Sequence, residues 1–360
     1  MNTDFNLIFK NIENALNIAL QEKPDATWKN DSFGYLSNCV TNEHLKNLIT
    51  PCKDLVNLGG KRWRPLLLVL CSSLARDAKK NTPLSLEETY SITPLVEFVH
   101  TASLIHDDIE DSADTRRGKP AAHLTWGLDT ALNAASWLYF LAPSCIEKLS
   151  VPFELKNNFF TLYAQELRRL HLGQAMDIYW HRNPSLFPTV EEYTQMVHLK
   201  TGTLASLAVQ AGFLAGGATK EEALKAGHIA ECIGEGFQIL DDVQNLTTGN
   251  PGKKRGDDIV EGKKSLPVLL YIQNNPKEKE TISSLFETAK NEGIDSPAVE
   301  KCIFCLSNSS AIKEAKEKGV RLINEKTDEL TAFFNAEAKG KDALLIKEFF
   351  SDMVLKFQKN

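Results

Sequence analysis

Two clusters of carboxylates carry the chemistry open to this sequence. The first lies in the stretch EFVHTASLIHDDIEDSADTRRGKPAAH, residues 97–123, where an apolar helical pattern runs into Asp107, Asp108, Asp111 and Asp114 and then Arg116 and Arg117. Asp107 and Asp111 are four apart, so on a helix they stand one above the other and repel by roughly a few tenths of a kcal/mol unless a cation intervenes. Oxygen ligands so placed suit a hard divalent cation such as Mg2+, which binds through one or two carboxylates, waters and phosphate oxygens. The two arginines add forked cations that match phosphate geometry. The second cluster, Asp241, Asp242 and Asn245 in GEGFQILDDVQNL, also follows an apolar helical run. One acidic cluster alone reads as a solvated helix end, because charge runs are usually surface. An aspartate pair closing an apolar run is costly without cations, so two of them read as walls of one metal-filled cavity for a diphosphate.

Other stretches add phosphate-binding chemistry. In NLGGKRWRPLLLVLCSSLA, residues 57–75, Gly59 and Gly60 let backbone approach a ligand, and Lys61, Arg62 and Arg64 precede a buried helix expected from Pro65. Basic side chains at a helix start oppose its macrodipole unless an anion receives both. In HLKTGTLASLAVQAGFLAGG, a Thr-Gly interruption beside Lys200 and Thr201 can turn a carbonyl inward. The stretch PGKKRGDDIVEGKKSLPVLL is glycine-rich and charged, the pattern of a mobile loop. No Ser/His/Asp or Cys/His constellation offers a nucleophile.

The elements that must position these groups are helices. Phe5, Ile8, Phe9, Ile12, Leu16 and Leu20 recur at helical spacing, residues 128–149 are apolar and helical, and residues 276–360 alternate helices with Lys/Glu-rich faces. Alternating β runs, hairpin turns and fixed-period repeats are missing, so the fold class is all-α. With 360 residues, 42% of them hydrophobic, and no linker composition, the chain reads as one large helical bundle around a central cavity. Residues 1–45 form an N-terminal helix and loop packed on it. A net charge of −6 argues against nucleic acid as a partner. Seven irregularly spaced cysteines give no disulfide framework, and the Cys302/Cys305 pair lacks the second pair of a zinc site. No apolar run approaches the roughly eighteen residues of a membrane span, so stable membrane insertion is not expected. The N-terminus has acids and no leading basic region, so the expected compartment is the cytoplasm.

Asp107-Asp108-Ile109-Glu110-Asp111 resembles the first aspartate-rich motif of the trans-isoprenyl diphosphate synthases, the polyprenyl synthetase family, and Asp241-Asp242-Val243-Gln244-Asn245 resembles their second. The likeness extends over roughly residues 55 to 270. It implies an isoprenoid synthase fold, a homodimer, and condensation of isopentenyl diphosphate with an allylic prenyl diphosphate. It also implies Mg2+ on Asp107, Asp111 and Asp241, with Asp107, Asp108, Asp111, Lys200, Thr201, Gln238 and Asp241 serving the reaction. By the same resemblance Lys61, Arg64, His100 and Arg117 hold isopentenyl diphosphate. Arg116, Lys200, Lys253 and Lys263 hold the allylic diphosphate, and Gln174 with Asp177 matches a GQxxD motif. Lys254, Arg255 and Lys264 leave the choice of loop lysines open by one position.

Two departures stand out. A Gly-Asp pair common in the family reads Ala135-Ser136 here, and Asn245 replaces the last aspartate of the strictest second motif, which implies altered metal contact. Product length follows from small residues before Asp107. Ala102 and Ser103 stand where farnesyl synthases place an aromatic ring, and Phe98, Val99, Trp137 or Phe140 are left to close a tunnel. A product beyond fifteen carbons is expected, geranylgeranyl diphosphate first. The alternatives are a farnesyl diphosphate synthase or a non-catalytic regulatory subunit of a heteromeric synthase. A class I terpene cyclase would not need a second diphosphate site, and its usual second motif is missing. A plain helical binding protein leaves the coincidence of motifs unexplained.

Overall fold

The computed structural model describes residues 3–249, 254–335 and 340–359. In chain order its first helices are α1 (Thr3–Ala19), α2 (Ala26–Phe33), α3 (Asn42–Asn57), α4 (Trp63–Ala78), α5 (Leu86–Ser91) and α6 (Pro94–Glu110). A two-residue hairpin, β1 (Thr115–Arg116) and β2 (Lys119–Pro120), leads to α7 (Ala122–Trp126), α8 (Leu128–Leu141) and α9 (Ser144–Glu147). The long α10 (Phe153–His181) is followed by α11 (Val190–Val197), a π-helical turn (His198–Gly202), α12 (Thr203–Ala215) and α13 (Lys220–Thr247). Then come α14 (Asp257–Glu261), α15 (Leu266–Asn274), a 3-10 turn (Pro276–Glu278) and α16 (Lys279–Glu292). The chain ends with α17 (Pro297–Ser307), α18 (Ala311–Thr331) and α19 (Lys341–Lys359). Among the described residues the hairpin is the sole strand pairing, and the all-α expectation holds.

Local sequence explains the helix starts. Ser85 with Glu88 and Thr189 with Glu192 form capping boxes at α5 and α11, each side chain accepting from the other's backbone N–H. Pro94 opens α6, where its missing N–H costs nothing. Arg62 takes a left-handed conformation, φ 48°, so α4 begins at Trp63, two residues before the proline that sequence alone marks.

The chain divides into two compact units, residues 1–164 with 207–224, and residues 165–206 with 225–360. In the first, α6 packs on α3, α4 and α8. The helical stripe of α1 becomes the buried Phe5, Ile12, Leu16 and Leu20, set against α4, α5 and α6. In the second, one apolar cluster joins α14 to α17 around Phe286, Cys302, Ile303 and Leu306. Another gathers Tyr193, Ile239, Val243, Leu266 and Leu269 from α11, α13 and α15.

Candidate active site

In the first unit, four arginines gather around one histidine. Arg62 and Arg64 flank the start of α4, Arg117 follows β1, and Arg116 lies within it. Arg62 is a buried pin: Nε meets Glu13 at 2.6 Å, Nη1 meets Glu97 at 2.5 Å, and Nη2 donates to the Val56 carbonyl. Arg64 is buried, its guanidinium 4.5 Å over the Trp63 ring and Nη1 3.4 Å from His100 Nε2. Burial, with Arg117 nearby, pushes Arg64 down to about 10, although Glu97 works the other way. His100 is held well below its ordinary value by burial and by Arg64, Arg117, Arg116 and Arg62, so its ring is neutral at neutral pH. Arg117 donates to the carbonyls of Gly59 and Leu55. Gly60 makes room for it, since a Cβ there would come 3.0 Å from the Arg117 guanidinium. A group of cations that is partly desolvated and only partly neutralised favours an incoming anion. Lys61 sits exposed beside it.

The first acidic cluster closes the same unit. Asp107 is on the last turn of α6 and Asp111 is its C-cap, accepting no more than half burial, whereas Asp108 is buried. Arg116 donates both Nε, at 2.8 Å, and Nη2 to Asp108 Oδ1. Asp108 therefore orients Arg116, and the half-buried Asp107 and Asp111 are the oxygen pair suited to a cation. Among the described residues no group of three or more His, Cys, Asp or Glu is placed to hold a metal. The donor set fits Mg2+ in the manner that needs only one or two carboxylates, with substrate phosphate and water completing the shell.

The second unit assembles the other predicted groups. The interruption expected at Thr-Gly is a π-turn, His198–Gly202, in which Thr203 N–H donates to the His198 carbonyl. π-turns recur at functional sites. On it, Lys200 Nζ bonds Asp177 Oδ2 of α10 at 2.6 Å, and Thr201 Oγ1 donates to Gln238 Oε1 of α13 at 2.9 Å. Gln238 in turn donates to Asp242 Oδ1 at 2.9 Å, and Tyr193 to Asp242 Oδ2 at 2.7 Å. Burial raises Asp242 to about 6, against the Tyr193 and Gln238 bonds and with Asp241 adding to the rise. Asp241 is half-buried and Asp242 only 5% exposed, so the aspartate pair splits into an outer and an inner carboxylate. Gln174 is half-buried on α10, one turn before Asp177.

Asn245 has a different part from the altered metal contact expected of it. It is 0% exposed, its carbonyl accepts from Gly256 N at 3.0 Å and its Oδ1 from Asp258 N at 3.4 Å. Its position ties α13 to the turn that precedes Lys263. Lys253 lies outside the described residues. Of the neighbouring cations left open by sequence, Lys254 pairs with Asp295 and Arg255 with Glu300, both on exposed ground. Lys264 is 4% exposed between the rings of Phe187 and Phe286, with Nζ 4.6 and 4.4 Å from their centroids. That enclosure removes Lys264 from the candidates and leaves Lys263, whose Nζ lies 2.5 Å from Glu261.

Residues 45–303 match the family described as polyprenyl synthetase. The chain belongs to that family. It is thus a prenyltransferase of the trans-isoprenyl diphosphate synthase type. It is 34% identical over 256 residues to a geranylgeranyl pyrophosphate synthase of Neocamarosporium betae, covering 70% of each chain. It is 36% identical over 217 residues to geranylgeranyl pyrophosphate synthase paxG of Penicillium paxilli, covering 59% of this chain and 56% of that one. The crystal structure of geranylgeranyl pyrophosphate synthetase from Pyrococcus horikoshii Ot3 shares the fold, with a TM-score of 0.77 at 24% identity over 98% of this chain and 99% of that one.

Within this polyprenyl synthetase, some functional side chains escape sequence reading. Arg62 and Arg64 belong to one motif, yet only the left-handed turn at Arg62 and its distant acids, Glu13 and Glu97, set the ion-paired Arg62 apart from Arg64. Tyr193 carried no signal beyond the helical spacing of a core residue. The suggestion that Phe140 closes a product tunnel is corrected: it is 81% exposed on α8. Trp137 is engaged elsewhere, stacked on Phe33 at 6.0 Å with Trp28 at its edge. Ser136, where the family commonly has Asp, lies 3.3 Å from His106 Nε2.

Proposed function

We propose that the chain condenses isopentenyl diphosphate with an allylic prenyl diphosphate to give all-trans geranylgeranyl diphosphate. The observation that carries this reading is the arginine group around the neutral His100, an anion site that needs no metal, in the same unit as the oxygen pair Asp107 and Asp111. Two different ways of holding phosphate suit two diphosphate substrates. Lys61, Arg64, His100 and Arg117 would take isopentenyl diphosphate, and the neutral ring of His100 can donate to it without adding a repelling charge to the arginines. Arg116, fixed by Asp108, and Lys200, oriented by Asp177, would serve the allylic diphosphate. The Thr201 hydroxyl and the carbonyls of the π-turn present dipoles suited to a developing allylic cation.

In the reaction the allylic C–O bond breaks and its electron pair leaves with pyrophosphate. The double bond of isopentenyl diphosphate then attacks the allylic carbon, and a proton passes to the released pyrophosphate to restore a double bond. Mg2+, which Asp107 and Asp111 would hold, supplies charge neutralisation to the leaving pyrophosphate. The relatives named geranylgeranyl pyrophosphate synthase and the small Ser103, one turn before Asp107, support the chain length. Pyrophosphate release tests the reaction class: it should require both substrates together, whereas release from the allylic diphosphate alone would favour a cyclase.

We also propose a homodimer in the cytoplasm. Leu128, Leu132 and Phe140 are exposed apolar residues on α8, four and then eight positions apart and so on one helix face, suited to a second copy. All seven cysteines are free thiols, as a reducing compartment keeps them. No helix among the described residues is long and apolar enough to cross a membrane.

A further inference from the structure

The π-turn that carries Lys200 and Thr201 is pressed from two sides. A Cβ on Gly173 of α10 would stand 2.4 Å from Lys200 N, and one on Gly234 of α13 would stand 2.8 Å from Gly202 Cα. These approaches fix how near the turn lies to its neighbours, but backbone packing alone leaves the rotation of its first residue open. His198, that first residue, has Nε2 2.8 Å from Glu235 Oε2 on α13. Glu235 is buried, and its other oxygen meets Lys318 Nζ of α18 at 2.8 Å and Thr194 Oγ1 of α11 at 3.4 Å. One carboxylate therefore joins the start of the π-turn to three helices.

We infer that His198, Glu235 and Lys318 form a charged clamp that sets the π-turn, and with it Lys200 and Thr201, in register for the allylic diphosphate. Glu235, His198 and Lys318 are positioning residues; none is required to touch substrate. The inference rests on the proposed prenyl transfer for its kinetic readout. Burial works against a charged His198 ring, yet hydrogen bonds with Cys232 and Glu235 carry it up to about 9. Burial likewise opposes a charged Glu235, but the bonds from His198 and Lys318 hold it below the ordinary carboxylate value. The facing groups are thus Glu235 and Cys232 on α13, with Lys318 on α18 and Thr194 on α11 on the far oxygen of Glu235. With Glu235 ionised, the clamp is complete at neutral pH and is lost above about pH 9 as the ring gives up its proton.

The test pairs Glu235→Gln with His198→Asn, so that a folding failure in one leaves the other. Each should raise the KM for the allylic diphosphate about tenfold, the size of one lost charge-assisted bond, with the KM for isopentenyl diphosphate unchanged. In the parent the allylic KM should climb only above about pH 9, whereas in Glu235→Gln it should already be raised at neutral pH and lack that climb. Equal rises in both KM values, or an unchanged pH profile, would overturn the clamp. NMR titration of the His198 ring, assigned by loss of its signal in His198→Asn, needs no turnover. A midpoint near the ordinary 6.5 would overturn the clamp even if the proposed reaction stood, and a parent inactive on both substrates would overturn the reaction and leave this titration to judge the clamp.

Discussion

Tyr193 donates its hydroxyl hydrogen to Asp242 across 2.7 Å, inside the second unit. That bond makes Asp242 an interior anchor: it holds Gln238, and Gln238 holds Thr201 on the π-turn. Tyr193→Phe leaves Asp242 Oδ2 with only the Leu266 N–H at 3.4 Å. Leaving a buried acceptor short costs about 1–3 kcal/mol. Urea unfolding should show that loss, with a raised KM for the allylic substrate. A variant as stable as the parent would mean that other contacts hold Asp242.

Arg62 and Arg64 should separate cleanly on mutation. Arg62→Ala strands the buried Glu97 and frees Glu13, and breaking a buried pair costs about 3–5 kcal/mol. Arg64→Ala removes a desolvated cation set against other cations, so its stability cost should be smaller while the KM for isopentenyl diphosphate rises steeply. Chemical denaturation and steady-state kinetics on both variants check this. The reverse pattern would exchange the two assignments.

Lys264 gives a pH signature. Burial first, and then Lys290, lowers it to about 8 from 10.5, with Cys302 acting the other way. Between those values the unfolded chain binds more protons than the folded one, so this residue's effect makes stability rise with pH. Its penalty is complete below about pH 8 and relieved as pH approaches 10.5. Lys264→Met keeps an unbranched apolar stem between Phe187 and Phe286. It should melt higher than the parent at pH 7, with the gap closing in alkali. A lower melting temperature at pH 7 would show that the two rings and the Pro184 carbonyl outweigh the burial cost.

Product length should respond to Ser103. Val99, Ser103 and Asp107 lie four apart on α6, so Ser103 stands one turn from Asp107 on the same stripe. Ser103 is half-buried, whereas Ala102 is fully buried in the core, where a ring would overpack. Ser103→Phe should therefore shorten the product by one five-carbon unit, read by mass spectrometry of the prenyl alcohols. An unchanged product would place the floor elsewhere.

The helices and the chemical groups were legible because side-chain type and spacing carry them directly: the stripe of α1, the i, i+4 aspartates of α6, the basic run before α4. What depends on distant partners was not. Glu13 and Glu97 decide that Arg62 is a pin, and nothing within the basic run announces them. The interruption near Thr201 could be read, but its π character could not, since one extra residue in a turn leaves no compositional mark. Asn245 looked like a weakened metal ligand because its motif position suggested one, and only its burial against the Gly256–Asp258 turn shows the other part. Lys263 and Lys264 have the same charge and adjacent places, and aromatic enclosure alone separates them. Phe140 read as interior because helical periodicity marks an apolar face without saying what covers it.

Chain elongation to twenty carbons can be read directly from the product. Purified protein supplied with Mg2+, isopentenyl diphosphate and farnesyl diphosphate should yield geranylgeranyl diphosphate as the main product in the mass spectrum, and Asp107→Ala, folded as judged by circular dichroism, should yield none. A parent protein that leaves farnesyl diphosphate unextended, or an Asp107→Ala variant of near-normal activity, would contradict the account.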